Sequence, residues 1–109
     1  MKHFLIKYRF KHGSREEWHK EIARFIAALE SDPTLNGKIS YRSMNVKDSD
    51  DYYHLASAED DLAVKTLGER DFFSSYTERT EDVSGGEVEV LPLEIVAETN
   101  SVNHPKSMR

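Results

Sequence analysis

His3-Phe4-Leu5-Ile6-Lys7-Tyr8-Arg9-Phe10 opens the chain with side chains that change character at every step. Phe4, Ile6, Tyr8 and Phe10 fall on one side of an extended backbone, and His3, Leu5, Lys7 and Arg9 on the other. Successive side chains of a strand point to opposite faces, so this run reads as a strand with an aromatic face packed on helices. The second face is mixed. Leu5 sits among cations there, which suits a cavity wall better than a free solvent surface.

Periodicity changes after Gly13. Ser14 and Glu17 have the spacing of a capping box. Trp18, Ile22, Phe25, Ile26 and Leu29 then form one apolar stripe of a helix, which Asp32-Pro33 ends. Asn36-Gly37 is a turn signal, and Lys38 to Met44 alternates again as a second strand. The acidic run Asp48-Ser49-Asp50-Asp51 separates it from a third strand, Tyr52 to Ser57. Glu59, Asp60 and Asp61 suit the first turn of a second helix carrying Leu62, Val64 and Leu67. Gly68 is expected to interrupt that helix, with a shorter helical turn holding Phe72, Phe73 and Tyr76. Val88 to Val96 closes the pattern as a last strand, and Pro92 places it at an edge or a bulge. Residues 1–99 are expected to form one domain, and residues 100–109 a polar, mobile tail.

The 109 residues carry a formal charge of −5, with 38% hydrophobic and 32% charged side chains. A net acidic chain without a basic sheet surface or the aromatic signature of an RNA-recognition sheet is not read as a nucleic-acid binder. Without cysteine, disulfides, thiolate nucleophiles and cysteine metal sites are excluded. No apolar run approaches a membrane span, and the start is too short in apolar residues for a signal peptide, so a cytoplasmic protein is expected. No metalloprotease, nucleophile-elbow, EF-hand or phosphate-loop motif is present.

The element order strand–helix–strand–strand–helix–strand is the split βαβ, ferredoxin-like α+β arrangement, an antiparallel sheet with helices on one face. Four stretches also resemble the antibiotic biosynthesis monooxygenase family of dimeric α+β barrels. These are Lys11-His12-Gly13 before the capped helix, Asn36-Gly37-Lys38-Ile39-Ser40-Tyr41-Arg42, Ala56-Ser57-Ala58-Glu59-Asp60-Asp61-Leu62, and Arg70-Asp71-Phe72-Phe73-Ser74-Ser75-Tyr76. The resemblance implies a homodimer whose two sheets face each other, with helices outside and a small-molecule cavity on each inner face. It implies a monooxygenase acting on an aromatic or polyketide-like molecule without bound flavin, haem or metal. The alternative is a non-catalytic dimeric barrel that binds a hydrophobic ligand or only self-associates. Residues 59 to 83 contain no histidine, so the haem-degrading branch of the family is set aside.

His54 is the candidate base, because a neutral imidazole can accept a proton near pH 7. It points into the expected cavity if Leu55 faces the helices; otherwise it is a histidine hydrogen-bonded to a neighbouring tyrosine or carboxylate. Arg9 and Tyr41 are the groups expected to stabilise a developing oxyanion. His3, Lys7, Arg42 and Tyr52 are expected to contact substrate, with Tyr53 as a further amphipathic ring. The competing reading of His3, Lys7 and Arg9 is a salt-bridged face opposite Glu87 and Glu89.

Overall fold

A computed structural model describes residues 1–99, so the tail expected at 100–109 lies outside the described residues. The elements are β1 (Lys2–Arg9), α1 (Arg15–Ser31), β2 (Ile39–Asn45), β3 (Asp51–Ala58), α2 (Asp61–Gly68), α3 (Asp71–Ser84) and β4 (Val88–Leu93). They make a four-stranded antiparallel sheet in the order β2-β3-β1-β4. This is the ferredoxin-like α+β fold, with the second helical segment divided in two.

That division reverses one expectation. The segment after Gly68 is the longer helix, α3 with 14 residues, and α2 has only 8. The stripe of α3 was hard to see because two of its three buried positions are Thr80 and Ser84, residues that sequence patterns count as polar. The last strand is shorter than expected and stops at Leu93. Pro92 stands opposite Phe4 on an edge strand, where its missing N–H removes no ladder bond on the open side.

Caps hold the helices as their residues require. The Ser14 side chain accepts the Glu17 N–H at 3.3 Å. The Glu17 carboxylate lies 3.5 Å from Lys20 Nζ, on the exposed side of the first turn. Asp60 caps α2 by accepting the Ala63 N–H. At the end of α3, Gly85 adopts φ 68°, a left-handed conformation that glycine enters without a Cβ clash. Asp32 ends α1 and ties the turn to α3. Its carboxylate accepts the Thr34 and Leu35 N–H groups and the Arg70 guanidinium at 2.7 Å. The Arg70 bond and these backbone donors hold the Asp32 carboxyl below the usual carboxylate range.

Register assigns every sheet residue to a face. Ile6 pairs with His54 and Val90, Tyr8 with Tyr52 and Val88, and Phe4 with Ala56. These residues and Tyr41 share the face covered by helices. On that face Tyr8, Trp18, Ile22, Phe25, Leu29, Leu35, Tyr52 and Tyr76 form the buried core. The Tyr76 ring is sandwiched, stacking on Phe25 at 4.0 Å and on Trp18 at 5.7 Å. The other face carries His3, Leu5, Lys7, Arg9, Arg42 and Leu55, with Leu91 and Leu93 beside Leu5 and His3.

Candidate functional site

A cavity of about 460 Å³ lies between the sheet and the helices. Its walls include Ile6, Phe25, Tyr41, Ala56, Phe73 and Tyr76, and α2 closes one side with Val64 and Leu67. The void exists because small side chains face each other across this layer: Ala56 and Ala58 from β3, Thr77 and Thr80 from α3. A mostly apolar hollow of this size with a few convergent polar groups is the usual form of a small-molecule site. This cavity lies on the helix-covered side of the sheet, and a second hollow, lined by Lys7, Arg9, Tyr53 and Glu89 among others, opens on the side that a facing sheet would cover.

Behind the cavity wall, a chain of hydrogen bonds runs through the core. Trp18 donates its indole N–H to the Tyr8 hydroxyl at 2.9 Å. The Tyr8 hydroxyl hydrogen-bonds His54 Nε2 at 2.8 Å. On its other side, His54 Nδ1 hydrogen-bonds the Tyr41 hydroxyl and lies 3.3 Å from that of Tyr76. The Tyr41 and Tyr76 hydroxyls are 2.9 Å apart. Both of these tyrosines border the cavity.

Burial sets the protonation of this chain. His54 is fully inaccessible, and desolvation lowers its pKa from the ordinary imidazole value to about 4. Desolvation likewise raises the phenols of Tyr8, Tyr41 and Tyr76 far above the ordinary tyrosine value. At neutral pH the imidazole is uncharged and the three phenols keep their protons.

The structure brings together two of the residues singled out in the sequence, His54 and Tyr41. His54 faces the helices and Leu55 faces away, the reverse of the orientation under which the imidazole was to enter an outer cavity. Its surroundings are those of a histidine bonded to neighbouring tyrosines. Arg9 is on the opposite sheet face, paired with Asp51 at 3.0 Å and near Asp50 at 3.9 Å. Lys7 lies 3.9 Å from Glu89, and His3 Nδ1 is 2.7 Å from the Ser57 hydroxyl. Arg42 stands opposite Leu55, also away from the cavity. Lys11 pairs with Glu87. Lys7, Arg9 and Lys11 are thus ion-paired, as in the competing reading, whereas His3 and Arg42 have no ion-pair partner among the described residues. Tyr52 is buried, stacks on Tyr8 at 5.3 Å, and hydrogen-bonds Arg15 and His19 through its hydroxyl.

Tyr8, Trp18 and Tyr76 join the site without having been picked out as polar groups in the sequence. All three sat in apolar stripes, where an aromatic residue reads as core, and their hydroxyl or indole groups meet only after the helices pack. Glu81, on the same side of α3 as Thr77 and Thr80, also borders the cavity and had no local signal. Among the described residues, no group of three or more acidic or histidine side chains could hold a metal ion.

No protein-family profile and no curated protein matches this sequence. Solved structures do. SnoaB, a cofactor-independent oxygenase from Streptomyces nogalater, superposes with a TM-score of 0.71 at 18% identity, covering 92% of this chain and 96% of that one. An antibiotic biosynthesis monooxygenase matches with a TM-score of 0.71 at 9% identity, over 89% of this chain and 100% of its own. A conserved protein from Methanosarcina mazei gives 0.71 at 14% identity, over 85% and 90%. Near-complete coverage from both sides means that the whole described architecture is shared. This chain therefore has the ferredoxin-like α+β fold seen in antibiotic biosynthesis monooxygenase-like proteins.

Proposed function

We propose that the chain is a small-molecule monooxygenase that works on an aromatic or polyketide-like substrate in the cavity between sheet and helices, without a bound flavin, haem or metal. The observation that carries this reading is the hydroxyl pair of Tyr41 and Tyr76 beside a mostly apolar cavity, backed by neutral His54. The likeness in fold to a cofactor-independent oxygenase supports it. In this scheme the substrate supplies the electrons. A ring CH₂ activated by neighbouring oxygens loses a proton, the carbanion adds dioxygen, and loss of water leaves a carbonyl. Tyr41 and Tyr76 would donate hydrogen bonds to the oxygen where charge gathers. His54 would act through them as a positioning residue.

Oxygen uptake with anthrone tests this reading. Turnover that falls at least tenfold in both Tyr41→Phe and Tyr76→Phe is expected. Tight binding of anthrone with no oxygen uptake above the uncatalysed rate would replace it with the second reading, a non-catalytic dimeric barrel. Both readings share one feature: Leu5, Leu55, Leu91 and Leu93 gather on the uncovered sheet face, the last three 38–40% exposed. A second copy covering this face is proposed under either reading.

A further inference from the structure

Ala56 stands between two aromatic residues in one row of the sheet. Tyr41 is its partner on β2 and Phe4 its partner on β1, and all three border the cavity. Two strand spacings separate the aromatic pair, so their side chains rise from the sheet about 10 Å apart with only a methyl group between them. Tyr41 does not lean over that gap. Its hydroxyl is held by His54, two residues back along β3, and its ring meets Phe25 edge-on at 5.0 Å. Tyr8, which receives the Trp18 N–H, gives its own proton to His54 Nε2, so Nδ1 carries the proton donated toward Tyr41. Ala58, two residues further along β3, continues the low floor of the slot.

Most polar groups around this slot are spent elsewhere. Thr77 and Thr80 donate their hydroxyls to the Phe73 and Tyr76 carbonyls, both at 2.9 Å. Ser57 hydrogen-bonds His3 on the other face of the sheet, and Glu81 is exposed. No lysine, arginine or histidine borders the cavity, so an anionic ligand meets no counter-charge. A flat ring midway between Tyr41 and Phe4 lies about 5 Å from each, within the range of aromatic pairs. We propose that Ala56 sets the size of the ligand: its missing side chain admits a neutral fused-ring molecule with one ring between Tyr41 and Phe4, and a larger residue there confines the cavity to single rings. Ala56 acts by leaving space and takes no part in any reaction. The proposal rests on the cavity being the small-molecule site, and it adds the residue that selects among ligands.

The test compares fluorenone, with three fused rings, and acetophenone, with one. Binding is followed by quenching of Trp18, the only tryptophan, which stacks on Tyr76. The full-length protein is expected to bind fluorenone more tightly than acetophenone. In Ala56→Leu the fluorenone affinity should fall about tenfold or more, as overfilling a packed space does, while acetophenone affinity stays within about twofold. Ala56→Val, whose branched side chain suits a strand, should show a smaller loss in the same direction, and it carries the test if the leucine variant does not fold. Circular dichroism and a thermal melt establish the fold of each variant. Fluorenone affinity unchanged in the folded variants, or equal losses for both ketones, overturns the proposal and leaves the cavity reading standing. A wild-type protein that binds neither ketone overturns both. Oxygen uptake is no part of this readout, so size selection can hold where oxygenase activity fails.

Discussion

The Tyr8 hydroxyl lies 2.8 Å from Nε2 of His54, two residue pairs away from it along the β1–β3 ladder. This contact decides what His54 does. An imidazole whose two nitrogens are both bonded to core phenols is held in place and cannot swing to meet a substrate. Replacing it disturbs Tyr8, Tyr41 and Tyr76 together.

His54→Ala is accordingly expected to destabilise the fold. It leaves the buried Tyr8 hydroxyl without an acceptor and the Tyr41–Tyr76 pair without its donor. At roughly 1–3 kcal/mol for each buried polar group left unpaired, the loss should be about 2–6 kcal/mol. Urea unfolding checks this, and a midpoint unchanged from wild type would show that the imidazole is dispensable to the core.

Acid should weaken the protein in two stages. The His54 pKa is depressed to about 4 in the folded state against 6.5 for the unperturbed group. Between those values the unfolded chain binds the proton and the folded one does not, so stability falls as pH drops from about 6.5 toward 4. The cumulative loss is on the order of 3 kcal/mol at 1.36 kcal/mol per unit. Asp32, held below the usual carboxylate range by Arg70, adds a further loss at more acidic pH. Urea midpoints at pH 7.5 and 4.5 should differ in wild type, and the difference should shrink in His54→Gln. Equal midpoints in wild type would contradict a buried neutral imidazole.

Trp18→Ala should cost about 3–5 kcal/mol, as for other large aromatic truncations in a core. Trp18 is only 2% exposed, stacks on Tyr76 and donates to Tyr8. Trp18→Phe keeps most of the packing and loses the N–H, so it should cost about 1 kcal/mol. A melting temperature unaffected by Trp18→Ala would place the indole outside the core in solution.

Sedimentation at micromolar concentration should show a dimer, with an interface burying more than about 2,000 Å² in total. Leu55→Glu puts a charge opposite Leu5 and next to Leu91's row, and it should yield a 12.6 kDa monomer that retains helical circular dichroism. A wild-type chain that sediments only as the 12.6 kDa species would leave the leucine face without a partner.

Strand and helix order was legible along the chain because burial on one face imposes local periods. The alternation of Phe4, Ile6 and Tyr8, and the stripe from Trp18 to Leu29, carry that information without help from distant residues. Where local signals ran out, tertiary packing decided. Thr80 and Ser84 are buried in α3 because the sheet lies beneath them, which no pattern of polar residues announces. The site divided in the same way. Tyr41 and His54 were visible as candidates on their strands, but alternation alone cannot say which face of a strand the helices will cover. That choice turned His54 toward Tyr8 and Tyr76, and it put the cavity beside Tyr41 on the side away from Arg9, Lys7 and His3, whose face the first strand's alternation had already fixed. Periodicity measures which residues share a face; only the packed helices determine which face holds the cavity.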